Sequence, residues 1–203
     1  MTNVPLMFQP LVKYADFNGR SRRSEFWLWV LFRILLGSTI GAIASSLLFS
    51  GIDFAHIATS SPEAMHERMW GGMTNYMRVM PLLSLINLAL LVPSYAVGVR
   101  RLHDTGRSGW WIVLPLVVAI VGTILFLVFG GTALFHLLQA GDHPSEAQGL
   151  QFAGQLIGSL FLFLLLPILV AEIVMLVFYV TEGKRGPNRF GPDPKGEALN
   201  DTP

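Results

Sequence analysis

The chain has 203 residues, 52% of them hydrophobic and 13% charged, whereas an ordinary soluble domain carries about 25% charge; with a mean hydropathy of +0.54, the composition argues against a soluble domain. Lys plus Arg (14) nearly balance Asp plus Glu (13), so the chain lacks the basic footprint that wraps nucleic acid. No cysteine occurs, which removes disulfides, thiol catalysis and Cys-based zinc or iron–sulfur centres together.

Four stretches are long and apolar enough to cross a bilayer, whose hydrocarbon core takes about 20 helical residues. The first, 26–49, contains one charge, Arg33. The second, 79–99, is uncharged, with Pro81 and Pro93 near its ends and Asn87 between them. The third, 110–129, starts at Trp110 and is expected to leave the membrane at Gly130-Gly131. The fourth, 156–180, contains one charge, Glu172, and a tail, 181–203, follows. The expectation is an all-α, four-span bundle forming one membrane domain. Ala42-Ile43-Ala44 resembles a signal-peptidase site, but Arg33 interrupts the apolar run and apolar residues continue to Phe49, so the first span is expected to be retained.

The connections carry their own patterns. Ser61-Pro62-Glu63 reads as a helix start, with Ser as cap, Pro at the first position and an acid in the first turn. Beyond it Met65, Met69, Met73 and Met77 recur every four residues, and Gly71-Gly72 should weaken the helix. We expect a separate interfacial segment on the outer leaflet. Thioethers also suit Cu(I), which makes Met65, His66, Met69 and Met73 a weak copper candidate, with His56 and His66 as the supplementary nitrogen donors in this connection. No other metal and no cofactor is implied. Gly141-Asp142-His143-Pro144 reads as a turn. Small residues at four-residue spacing, Gly37, Gly41 and Ser45, and Gly154 and Gly158, are expected to pack helices within the bundle, although a homodimer seam would use the same feature.

Orientation follows from the basic residues, since cytoplasmic flanks hold the excess. Lys13, Arg20, Arg22 and Arg23, then Arg100, Arg101 and Arg107, then Lys184, Arg185, Arg189 and Lys195 fall on one side of four spans; the other side has Arg68 and Arg78. Both termini and the second connection are therefore expected in the cytoplasm. Trp27, Trp29, Trp110 and Trp111 would form an aromatic belt at that interface.

Three segments on that side carry a family resemblance: Phe17-Asn18-Gly19-Arg20 with Arg23-Ser24-Glu25-Phe26-Trp27; the run from Arg100 to Trp111, RRLHDTGRSGWW; and Gly186-Pro187-Asn188-Arg189-Phe190-Gly191-Pro192-Asp193-Pro194. Together they resemble the signatures of the domain-of-unknown-function 805 family. The resemblance implies a multi-span protein of the bacterial cytoplasmic membrane, without an established activity.

The second signature is a tight turn feeding a helix, in which Gly106 and Gly109 allow close backbone approach, Ser108 can cap, and exposed N–H groups point at the turn. Arg20, Arg23, Arg101, His103, Asp104, Arg107, Ser108 and Asn188 are the candidate ligand set for an anion, a lipid headgroup or a protein partner. The structural alternative is that the arginines set topology, the glycines shape the turn, and Glu25 and Asp104 pair with nearby arginines. An enzyme would need an acid, base and nucleophile around His103 and Asp104, and the other segments on that side offer no further histidine. Within the spans, Arg33 and Glu172 lie at matching depths, about 10–12 Å from the same interface. They are expected to pair, as a packing lock or as part of a transport path. Membrane lipids, a second copy or another membrane protein are the expected partners.

Overall fold

The computed structural model describes residues 4–50, 61–139 and 145–196. They form six helices: α1 (Gln9–Val12), α2 (Arg23–Leu48), α3 (Pro62–Asp104), α4 (Leu114–Gln139), α5 (Glu146–Ser159) and α6 (Leu166–Val180). A 3-10 turn, Gly109–Val113, leads into α4, and a π-helical turn, Leu160–Leu165, joins α5 to α6. Four continuous helical stretches are long and apolar enough to span a membrane, as the composition requires.

Three of the spans are longer than their hydropathy suggests. The Ser61 hydroxyl accepts the Ala64 N–H at 3.2 Å, as its sequence signature implies, but the helix it starts does not stop at an interface. It runs 43 residues, through Gly71-Gly72 and both prolines, to Asp104, about 65 Å at 1.5 Å per residue. The separate outer-leaflet segment is therefore the first part of α3. Gly72 serves as a crossing point: a Cβ there would lie 2.0 Å from the Leu48 carbonyl oxygen of α2. The cost of glycine in a helix is offset by that close approach. Pro93 removes the N–H that would bond the Ala89 carbonyl, and the Tyr14 hydroxyl donates to that carbonyl instead. The proline thereby ties the N-terminal segment to α3.

The third span likewise does not end at Gly130-Gly131, because α4 continues to Gln139 and Gly130 packs against Ser159 and Leu156. The fourth begins ten residues before its expected start, at a capping box in which the Ser145 side chain accepts the Gln148 N–H and Gln148 accepts the Ser145 N–H. Pro167 follows the π-helical turn, where it leaves the Phe163 carbonyl without its helical donor. A Cβ on Gly122 of α4 would stand 2.3 Å from that oxygen, so the irregular turn sits against a helix with no side chain in the way. A Cβ on Gly37, Gly41, Gly154 or Gly158 would meet nothing within 4 Å; these glycines do not pack helices inside the chain, contrary to expectation. The turn expected at 141–144 lies outside the described residues.

α2 packs on α3, and α4 packs on α5 and α6. The two hairpins meet mainly at the end that carries the three sequence signatures, where Phe26, Trp29 and Val97 form a core packed by Phe32, Leu90 and Tyr179. Trp29, expected in the aromatic belt, is buried there and donates from its indole to Ser94 Oγ at 3.1 Å. Trp27, Trp110 and Trp111 are exposed. Elsewhere most of the large apolar side chains are exposed, as they are toward lipid, while Leu83, Ala133, Ala171 and Met175 are buried.

Candidate functional site

Consecutive helix positions point about 100° apart, so Arg100 and Arg101 leave α3 in different directions. Arg100 reaches the N-terminal segment: its Nη1 donates to the carbonyls of Lys13 (3.3 Å) and Asp16 (3.0 Å), and its Nη2 meets Glu25 Oε1 at 3.4 Å. Arg101 reaches the end of α6, where Nε donates to the Tyr179 carbonyl at 3.1 Å and Nη2 to that of Thr181. Those carbonyls belong to the last turn of a helix, the position at which a cation is favourable. Its Nη1 meets Asp104 Oδ2 at 2.5 Å.

Asp104 is shared. Its other oxygen, Oδ1, accepts Arg20 Nε at 3.0 Å, and Arg20 also donates to the carbonyls of Gly186 (2.6 Å) and Lys184. Arg20, Arg100, Arg101 and Asp104 are all buried, so a clasp of guanidinium and carboxylate groups joins the N-terminal segment, the α3 terminus and the tail. Arg100 Nε and Ser21 Oγ are buried without a hydrogen-bond partner.

The turn after α3 is built by Gly106 at φ +79°. Arg107 N–H bonds the Leu102 carbonyl and Gly106 N–H the His103 carbonyl, both at 2.9 Å, which is the Schellman arrangement. Gly109 lies so close to α3 that a Cβ would be 2.7 Å from Val99, and Ser108 accepts the Trp110 N–H at 3.5 Å. In the tail, Asn188 donates to the His103 carbonyl at 3.0 Å, and the His103 ring stacks on Phe190 with centroids 3.9 Å apart. His103 Nδ1 lies 3.2 Å from the Gly19 carbonyl, an acceptor, so Nδ1 carries the proton. Asp193 accepts the backbone N–H groups of Lys195 and Gly186, each at 2.9 Å, which hold its carboxyl below the ordinary value of 3.8.

The candidate residues therefore have different surroundings. Arg20 and Arg101 converge on Asp104, and their donors are directed inward. Arg23 stays exposed and pairs with Glu182 at 3.6 Å. Arg107 lies over the Phe178 ring, 4.1 Å from its centroid. Beside the clasp is a cleft of about 390 Å³ lined by Arg22, Lys184, Arg185, Lys195, Glu182 and Asp193, with Arg20 and Asp104 at its wall. Glu182 already meets Lys195 at 3.5 Å, and Asp193 is held by the backbone. Among the described residues no carboxylate pairs with Arg22, Lys184 or Arg185. Sequence reasoning assigned these cations only to topology; the signal available was their place beside the signatures.

Within the spans, Arg33 and Glu172 do not form an ion pair. Arg33 Nη2 instead donates to Asn87 Oδ1 at 3.3 Å on α3, because α2 packs along α3 rather than along α6 at that depth. Glu172 is exposed on α6. Met65, His66, Met69 and Met73 lie on the first turns of α3, with His66, Met69 and Met73 exposed; His56 is outside the described residues. Among the described residues no group of three or more His, Asp or Glu converges as a metal site.

A family model described as "Protein of unknown function (DUF805)" matches residues 14–140, which include the first two signatures. The inner membrane protein YhaI of Escherichia coli strain K12 is 28% identical over 185 residues, 91% of each chain. The inner membrane protein YhaH of the same strain is 28% identical over 119 residues, 59% of this chain and 78% of that protein. No solved structure matches.

Proposed function

The chain belongs to the DUF805 family and is a multi-pass inner-membrane protein, and from the wiring of its signature-bearing face we propose that it is a non-enzymatic protein that binds an anionic ligand there. The observation that supports this is the contrast between two sets of cations on that face. The buried set, Arg20, Arg100 and Arg101, has its terminal nitrogens engaged by carboxylates and backbone carbonyls. The outer set, Arg22, Lys184 and Arg185, lines a cleft whose carboxylates are engaged elsewhere, Glu182 by Arg23 and Lys195 and Asp193 by backbone N–H groups, and among the described residues none of the three pairs with a carboxylate. The first set builds and fixes the second. A phosphate or carboxylate, on a lipid headgroup or a small molecule, complements such a cleft. The basic excess makes this the cytoplasmic face.

The two sets separate in one experiment. Native mass spectrometry of the gently purified protein should show retained anionic lipid or small anion. The triple variant Arg22→Gln, Lys184→Gln, Arg185→Gln should lose it while keeping the wild-type melting temperature, and retention by the wild type should fall with salt. Unchanged retention in the triple variant would sink the reading.

A further inference from the structure

Below the signature-bearing face, between α2 and the ends of α3 and α6, a groove of about 450 Å³ opens sideways from the bundle. Phe26, Trp29 and Ile112 are among its apolar walls; Arg33, Tyr95 and Tyr179 bring polar atoms to it. Ser94 also lines it, but its hydroxyl is already engaged, accepting from Trp29 and donating to the Leu90 carbonyl.

The lining of the groove holds donors and no carboxylate; Glu172 of α6, whose charge acts on Tyr179, is exposed and does not line it. Arg33 donates to the neutral Asn87 amide oxygen, at 3.3 Å, and among the described residues no carboxylate lies within ion-pair distance of its guanidinium. The hydroxyls of Tyr95 and Tyr179 have no hydrogen-bond acceptor among the described residues. Arg33 is ten positions into α2, about 15 Å from the start of that helix. A guanidinium without a counter-ion at that depth is unfavourable, and the bond to Asn87 on α3 directs it across the bundle instead of back along α2 to the headgroups.

We propose that this groove is a lateral binding site for the carboxylate of a long-chain fatty acid, with Arg33 as its counter-ion and the Tyr95 and Tyr179 hydroxyls as donors to its oxygens. A carboxylate takes two parallel bonds from a guanidinium, and a single acyl chain leaves through the open side of the groove into lipid. The depth selects this occupant over a phospholipid. A phospholipid phosphate belongs to the headgroup layer outside the hydrocarbon core and would have to draw its glycerol and second chain inward to reach Arg33. The site is separate from the charged cleft and does not depend on it.

The test is photolabelling of the purified full-length protein with a diazirine-bearing palmitic acid, alongside its methyl ester and in competition with phosphatidylglycerol. The acid should label the stretch around Phe26 to Ile34 and the ends of α3 and α6, and the ester should label at least about tenfold less, as expected for loss of a charge-assisted bond. Arg33→Gln should lower labelling by the acid by a similar factor. Because that variant also loses its bond to Asn87, the double variant Tyr95→Phe, Tyr179→Phe, which keeps both rings, is measured as well; its labelling should fall about threefold or more. Equal labelling by ester and acid, undiminished labelling of either variant, or complete displacement by an equimolar amount of phosphatidylglycerol would each overturn the proposal, the last by showing that the groove takes a phospholipid phosphate.

Discussion

Asp104 is the residue on which the signature-bearing face depends, because each of its oxygens holds a different guanidinium. Asp104→Asn should lower stability by about 3–5 kcal/mol, the usual cost of removing one partner from a buried charge cluster, read as a large drop in melting temperature in detergent. Arg101→Gln should behave similarly without changing the ligand specificity of the outer cleft, since Arg101 does not line it. Gly183 belongs to the same arrangement: a Cβ there would stand 2.0 Å from Asp104 Oδ2, so Gly183→Ala must move either the tail or the carboxylate and should cost about 1–3 kcal/mol. Asp193 adds a pH dependence of stated sign. Its carboxyl titrates below the ordinary 3.8 because the Lys195 and Gly186 N–H groups favour the charged form. Tail anchoring is therefore fully present above that value and lost as pH falls through the depressed one. Limited proteolysis of the tail should accelerate in acid, and Asp193→Asn should flatten that profile.

At the scale of elements, Pro93 and Tyr14 make a testable unit. Tyr14→Phe leaves the Ala89 carbonyl without a donor and should cost about 1 kcal/mol, whereas Pro93→Ala restores the helical N–H and should make the tyrosine dispensable. Measured by thermal unfolding, the two changes should be non-additive; additive effects would show that the hydroxyl has another role. This unit also shows what the sequence could and could not convey. Four membrane helices were legible because about 20 apolar residues have few other uses. Their ends were not, because hydropathy drops at Gly71-Gly72 and Gly130-Gly131 while the helix does not. Gly72 and Gly130 sit against neighbouring helices that no one-dimensional pattern reveals. In the same way, the pairing of Glu25 and Asp104 with arginines was legible as one of two readings, since short connections gather them on one face. The match in depth between Arg33 and Glu172 was misleading: depth fixes one coordinate, and the neighbour of α2 at that level is α3.

For the molecule as a whole, the central question is which way the clasp faces. Eleven Lys and Arg residues flank the spans on the signature-bearing side, and Arg68 and Arg78 lie on the other, with Arg33 inside. The structure makes that division more than a count, because α3 carries Arg68 and Arg78 toward one end and Arg100 and Arg101 toward the other, about 30 Å or more apart along one helix axis. Basic residues are retained on the cytoplasmic side during insertion, so the proposed orientation puts the Arg100 end of α3 in the cytoplasm and the Arg68 end outside. Reporter fusions at the N-terminus, at Thr105 and at the C-terminus should all report the cytoplasm, and one near Arg68 the periplasm. A periplasmic signal at Thr105 would invert the molecule: the charged cleft would then face the extracytoplasmic leaflet, and its ligand would have to come from that side. Replacing the outer cations Arg22, Arg23, Lys184 and Arg185 with Gln tests the cause. These four do not hold the clasp together, so the fold should survive, and any loss of orientation would come from charge alone. Mixed reporter signals in that variant, with an unchanged melting temperature for the correctly inserted fraction, are the expected result.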